Sequence, residues 1–129
     1  LRNIKKKLQP IIIATLLLVN IASSSCYLLI MQFHRENWRD FVHMVLLYPN
    51  SKIIMGSGMQ TEAINYYGGR SYVSEPEKID ESINQIFFVN YLADIFDSEG
   101  KRLSSIQKLG FSKIKEYNFN GVVVYEYQK

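Results

Sequence analysis

Between Leu8 and Phe33 the chain runs for 26 residues without a charged side chain. Residues 11–31 within that stretch are dense in Ile, Leu, Val and Ala. The hydrocarbon core of a bilayer asks for roughly 20 apolar residues in a helix. A stretch of this length crosses it with some tilt. Asn20 and the run Ser23-Ser24-Ser25 interrupt it, but lone polar side chains can bond back to the helix backbone or face a neighbouring helix. The sequence therefore predicts a basic flank over residues 1–7 and a transmembrane helix over residues 8–33.

A cleaved signal peptide or a lipoprotein signal is the rival reading, since Ser24-Ser25-Cys26 faintly resembles a lipidation site. Two features oppose it. The apolar run continues past Cys26 through Tyr27, Leu28, Leu29, Ile30 and Met31. It is also longer than the roughly 7–15 residues of a signal peptide's apolar region. Cys26 is the only cysteine, so no internal disulfide is available.

Arg2, Lys5, Lys6 and Lys7 crowd the N-terminal flank, whereas His34, Arg35 and Glu36 nearly cancel on the other side. Positive residues stay cytoplasmic. The N-terminus is expected inside, with residues 34–129 as an extracytoplasmic domain. Four of the 15 basic residues belong to the flank, which leaves 11 against 12 acidic residues. A near-neutral remainder has no electrostatic footprint for nucleic acid. The basic pI reports topology.

In the remainder, Asn37 followed by Asp40 reads as an N-cap with an acid in the first turn. Trp38, Phe41, Val42, Val45 and Leu46 then recur at helical spacing. Tyr48-Pro49-Asn50-Ser51 breaks that helix. Lys52-Ile53-Ile54-Met55 reads as a buried strand. Gly56-Ser57-Gly58 turns the chain into a helix over about 59–67, closed by Gly68-Gly69. Ser71-Tyr72-Val73 reads as a short strand. Ser74 and Glu77 fit a capping box opening a helix over about 75–84, with Pro76 in its first turn.

Ile86-Phe87-Phe88-Val89 is short, apolar and rich in β-formers, as a central strand should be. Asp97 or Ser98 caps a helix carrying Leu103, Ile106 and Leu109, which stops at Gly110. Residues 111–117 and 122–127 are two strands around Asn118-Phe119-Asn120-Gly121, and Asn-Gly is the strongest short hairpin signal. Alternating strands and helices followed by a hairpin predict a small three-layer α/β domain with a mostly parallel sheet.

Gly56-Ser57-Gly58 between a strand and a helix has the setting of an anion site. Thr61 stands where the dinucleotide fingerprint has its third glycine, and the P-loop lysine is missing. A plain tight turn is the leading reading, and contact with a phosphate or sugar the sharper one. His34 and His43 are nine apart without a Cys or Glu partner at ligand spacing, so no metal and no cofactor is expected. The carboxylate pairs Glu75/Glu77 and Asp94/Asp97 lie near predicted helix starts, where the helix dipole accounts for them.

Tyr66-Tyr67 near a glycine-rich turn could line a sugar or lipid surface, with one of the two in the core. Trp38 is either core, with Phe41 and Val45, or an anchor at the lipid interface. Candidate substrate or lipid contacts are therefore Trp38, Gly56, Ser57, Gly58, Tyr66 and Tyr67. No catalytic residue is named.

Several segments together carry a resemblance. They are Glu36-Asn37-Trp38-Arg39-Asp40-Phe41, Ile53-Ile54-Met55, Tyr66-Tyr67, Leu109-Gly110-Phe111, Asn118-Phe119-Asn120-Gly121 and residues 122–127. In this order, after a transmembrane helix, they resemble the C-terminal end of bacterial polytopic glycosyltransferases related to the dolichyl-phosphate-mannose–protein mannosyltransferases. Asn37 departs from the more common Asp, and Tyr48-Pro49-Asn50-Ser51 lacks the usual Pro-Gly-Asp.

The resemblance implies transfer of a sugar from a polyprenyl phosphate to an acceptor outside the cytoplasm. In such enzymes the catalytic carboxylate lies in an early extracytoplasmic loop, which has no counterpart here. The chain is thus expected to be catalytically incomplete: the C-terminal piece of a longer protein, or a truncated copy. Its implied partners are membrane lipid, a polyprenyl-phosphate sugar and preceding transmembrane helices. The alternative is a single-pass anchored binding or assembly module without enzymatic activity.

Overall fold

The computed structural model describes residues 2–30, 36–57 and 61–129, with only the backbone of residues 2–7. The chain divides into two compact units, Leu1–Arg35 and Glu36–Lys129.

Helix α1 (Arg2–Leu29) makes up the first unit. Its stretch Leu8–Leu29 is 22 residues long with a mean hydropathy of 2.0 and no buried residue, long and apolar enough to cross a membrane. At 1.5 Å per residue it spans roughly 33 Å, against about 30 Å of hydrocarbon. Two of its polar side chains are satisfied locally. Thr15 Oγ1 donates to the Ile11 carbonyl at 2.9 Å, and Asn20 Nδ2 to the Leu16 carbonyl at 3.1 Å. Residues 31–33, the end of the expected span, lie outside the described residues.

The second unit holds α2 (Trp38–Val45), β1 (Ser51–Met55), α3 (Glu62–Tyr66), β2 (Gln85–Val89), α4 (Ala93–Phe96), α5 (Lys101–Lys108), β3 (Ser112–Phe119) and β4 (Val122–Gln128). The cap on α2 is reciprocal: Asn37 Oδ1 accepts from the Asp40 amide at 3.2 Å, and Asn37 Nδ2 donates to Asp40 Oδ2 at 2.7 Å. Asn120 and Gly121 both take positive φ, 50° and 98°, which is the backbone a two-residue hairpin turn demands between β3 and β4.

The four strands form one sheet in the order β1-β2-β4-β3. β2 is central and buried at every position, as its composition predicts. Alternate residues of the strands feed two cores. On one face Ile53, Met55, Phe87, Val89, Val122 and Val124 meet Phe41, Val42 and Val45 of α2 and Ile64 of α3. On the other, Ile54, Ile86, Phe88 and Tyr127 meet Ala93 of α4, Ile106 of α5 and Phe111. Helices on both faces of a sheet make three layers.

Three expectations need correction. The sheet is mixed: β1–β2 is parallel, while β2–β4 and β4–β3 are antiparallel. The hairpin is the reason. It is inserted with β4 against β2, so only the β1-to-β2 crossover yields a parallel pair.

The segment read as a strand at Ser71-Tyr72-Val73 is a 3₁₀ turn, Arg70–Tyr72. The Val73 amide is committed to the Arg70 carbonyl, and the segment keeps a single bridge to β1, Ile53 with Val73.

The helix expected over 75–84 shrinks to one 3₁₀ turn, Pro76–Lys78. Ser74 Oγ donates to the Glu75 carbonyl instead of accepting the cap hydrogen bond. Asp80 then accepts from both the amide and the hydroxyl of Ser82, a local turn that competes with helix.

Candidate functional site

The carboxyl ends of β1 and β2 point the same way, and in open α/β sheets this edge is where ligands bind. Beyond β1 stand Gly56 and Ser57; beyond β2 stand Asn90, Tyr91 and Leu92, leading into α4. The hairpin turn reaches the same edge, since Val124 pairs with Val89 and β4 begins two residues earlier, at Val122. The start of α2 does too, because the Asn37 amide donates to the Phe119 carbonyl at 3.0 Å.

Trp38 is half-buried here. Its ring meets Tyr91 edge-on at 5.3 Å and Phe41 at 6.4 Å. Tyr91 in turn donates its hydroxyl to Glu36 Oε1 at 3.1 Å. That hydrogen bond, more than burial, raises the Tyr91 pKa above its ordinary value, because it favours the protonated phenol. Trp38 is therefore packed against the core cluster without being sealed inside it.

Gly56 closes the edge between β1 and α4. Its amide donates to the Val89 carbonyl at 2.9 Å. A Cβ built there would stand 2.7 Å from Ala93 Cβ, so the close approach of the two segments requires glycine. Ser57 is buried, and its Oγ has no hydrogen-bond partner among the described residues. Gly58, the third residue of that turn, lies outside the described residues.

Tyr66 and Tyr67 end α3 and pair with one another at 4.9 Å, edge to face. Tyr67 packs against the core, while Tyr66 is 82% exposed. Trp38 and Gly56 thus sit on either side of the β2–α4 connection, and the tyrosine pair belongs to α3.

The same edge carries a cleft of about 390 Å³ with a floor of Phe88, Ala93 and Leu103. Asn90, Asp94, Asp97 and Ser98 stand around it. Asp97 already works structurally: its carboxylate accepts from the amides of Lys101 and Arg102 at 2.9 and 3.0 Å, capping α5. Asn90 Nδ2 donates to Tyr125 Oη at 3.3 Å. Carboxylate, amide and hydroxyl groups over an apolar floor suit a ligand that donates hydrogen bonds from several hydroxyls.

Asn90 and Ser98 were not legible as site residues. Nothing local marks an Asn after a strand as part of a cleft, and Asp94 and Asp97 carry a helix-start pattern that hides any second role. Among the described residues, no three His, Cys, Asp or Glu side chains come together as a metal site.

Beside Met55 the Arg102 guanidinium joins Glu75 at 2.5 Å and donates to the Met55 carbonyl at 3.3 Å. It fastens α5 and the loop before Pro76 to the end of β1. Compared with protein-family models, curated proteins and solved structures, the chain matches none.

Proposed function

We propose that this chain is the last transmembrane helix and the extracytoplasmic C-terminal domain of a membrane glycosyltransferase that takes its sugar from a polyprenyl phosphate. One observation carries the reading. Segments bearing the resemblance, Glu36 to Phe41 and Asn118 to Gly121, are remote in sequence yet meet at one edge of the sheet. The Asn37 amide bonds the Phe119 carbonyl at 3.0 Å, and the rings of Phe41 and Phe119 lie 5.7 Å apart. The cleft lined by Phe88, Asn90, Asp94 and Ser98 lies at the same carboxyl ends of the strands, on the other face of the sheet. In this reading the domain shapes the lipid-sugar or acceptor side of a site, and the catalytic carboxylate lies elsewhere in the enzyme.

Trp38 is the only tryptophan and stands at the edge in question. The chain in phosphatidylcholine nanodiscs, titrated with a polyprenyl-phosphate-linked sugar, is expected to show a saturable change in tryptophan emission. The same polyprenyl phosphate without its sugar should give a weaker response. A flat titration with both would remove the transferase reading.

An anchored binding or assembly module without enzymatic activity is the second reading. It is favoured by β3, which is one of the two edge strands and leaves one row of backbone groups unpaired within the sheet beside exposed Ile114. Such an edge can accept a partner strand.

A further inference from the structure

The short helix α4 presents two large apolar side chains to solvent: Ile95 is 69% and Phe96 52% exposed. Neighbouring Ala93 packs into the core. The element is held in place by its flanks. Leu92 begins it in the left-handed region at φ 55°, a backbone that costs a non-glycine residue energy. Asp97 ends it while capping α5. Two adjacent large apolar residues on a fixed four-residue helix expose surface that water disfavours.

The position of α4 in the chain's path gives the occupant. It follows β2 at the edge where the second unit begins. Tyr91, four residues before Ile95, is bonded to Glu36, and Trp38 packs on Tyr91. Only residues 31–35 separate Ile30 from Glu36. At about 3.3–3.6 Å per residue even a fully extended connection spans only roughly 20 Å. Trp and Tyr side chains, of which Trp38 and Tyr91 are the pair at this edge, favour the membrane–water interface.

We propose that α4 is a membrane-surface contact, with Ile95 and Phe96 seated in the headgroup layer of the bilayer that α1 crosses. The proposal rests on reading α1 as a membrane anchor. Glu36, Asp40, Glu75, Asp94, Asp97 and Glu99 outnumber Arg39, Lys101 and Arg102 around this edge, and Glu99 already pairs with Lys101 and Glu75 with Arg102. The headgroups it fits are therefore zwitterionic, since an anionic surface repels the acidic excess.

The test places one environment-sensitive fluorophore at a time on the full chain in phosphatidylcholine vesicles, in a Cys26→Ser background. The sites are Ile95→Cys, Phe96→Cys, Leu47→Cys and Leu18→Cys. Leu47, 76% exposed, follows the far end of α2 and serves as the aqueous reference. Labels at 95 and 96 should shift to the blue and lose emission to a quencher carried near the lipid headgroup, while the label at 47 does neither. Replacing part of the phosphatidylcholine with phosphatidylglycerol at low salt should weaken the effect at 95.

If the label at 18 is quenched by lipid and those at 95 and 96 stay aqueous, the surface contact is overturned and the anchor stands. If the label at 18 is itself aqueous, both fall. Protection at 95 that appears only at high protein-to-lipid ratio makes a second copy of the chain the occupant and overturns the proposal. Equal quenching at 47 and 95 overturns it as well.

Discussion

Glu126 sits in the middle of β4 with only 7% of its surface exposed, and its two oxygens take one donor each. Gln85 Nε2 lies 2.6 Å from Oε1 and Tyr117 Oη 2.7 Å from Oε2. A buried carboxylate needs such donors to offset its lost hydration. Burial, and then the bond to Glu126, push the Tyr117 pKa up to about 12 from 10.0. The fold thus holds the phenol proton more tightly than the unfolded chain does. That contribution to stability is complete below pH 10 and is lost as pH rises through about 12. Tyr91 and Tyr127 are shifted in the same direction, so alkaline titration should unfold residues 36–129 across this window. Tyr117→Phe should make the pH dependence shallower, while costing roughly 1–3 kcal/mol at neutral pH by leaving Glu126 one donor short. An unaltered alkaline profile in circular dichroism would show that Tyr117 does not couple to folding. Trp38 offers a second test. Full burial would set the cost of Trp38→Ala at roughly 3–5 kcal/mol, and its half-buried packing on Tyr91 and Phe41 lowers that to about 2–3 kcal/mol. Urea melts of the same segment measure it, and an unchanged midpoint would take Trp38 out of the packing.

Two helix starts with similar spelling came out differently, and the difference shows what an element's sequence does and does not control. Asp97 or Ser98 was the expected cap of α5; the helix starts later, with Gly100 in the N-cap position at φ 63°, and Asp97 caps it from outside, both oxygens accepting from its first amides. Asp97→Ala should cost about 1–2 kcal/mol. Amide exchange at Ser104 and Ser105 should quicken more than at β2, and equal protection in both variants would refute the cap. Ser74 and Glu77 spell a capping box equally well, yet only one turn forms there. Glu75 is drawn to Arg102 of α5, and Asp80 folds onto Ser82. Both competitors act on side chains the box does not include. α2 and the Asn120-Gly121 turn are spelled by their own residues, an Asn cap and an Asn-Gly pair, so the sequence was sufficient to place them.

For the whole molecule, the open quantity is orientation. Four basic residues precede the span of α1, and positive flanks remain cytoplasmic. Protease added outside sealed cells should therefore digest residues 36–129 and spare residues 1–7. Digestion of Lys5, Lys6 and Lys7 with protection of the domain would reverse the topology and end the transferase reading. In the proposed transferase reading, the outcome also decides whether the cleft at the carboxyl ends of β1 and β2 faces the compartment that would hold the sugar's acceptor.

Periodicity and punctuation were enough to place α1, α2, β1, β2, α5 and the terminal hairpin, because each is marked by a pattern within a few residues. An unbroken apolar run, an Asn cap, an Asn-Gly turn and a both-faces-buried strand all state their own conformations. The sheet's order was another matter. Whether β4 lies against β2 depends on which side chains pack best between two cores, and that choice turned an expected mostly parallel sheet into a mixed one. The cleft was hidden for the same reason. Asn90, Asp94 and Ser98 are ordinary loop residues until β2, α4 and α5 fold together and set them around Phe88 and Leu103.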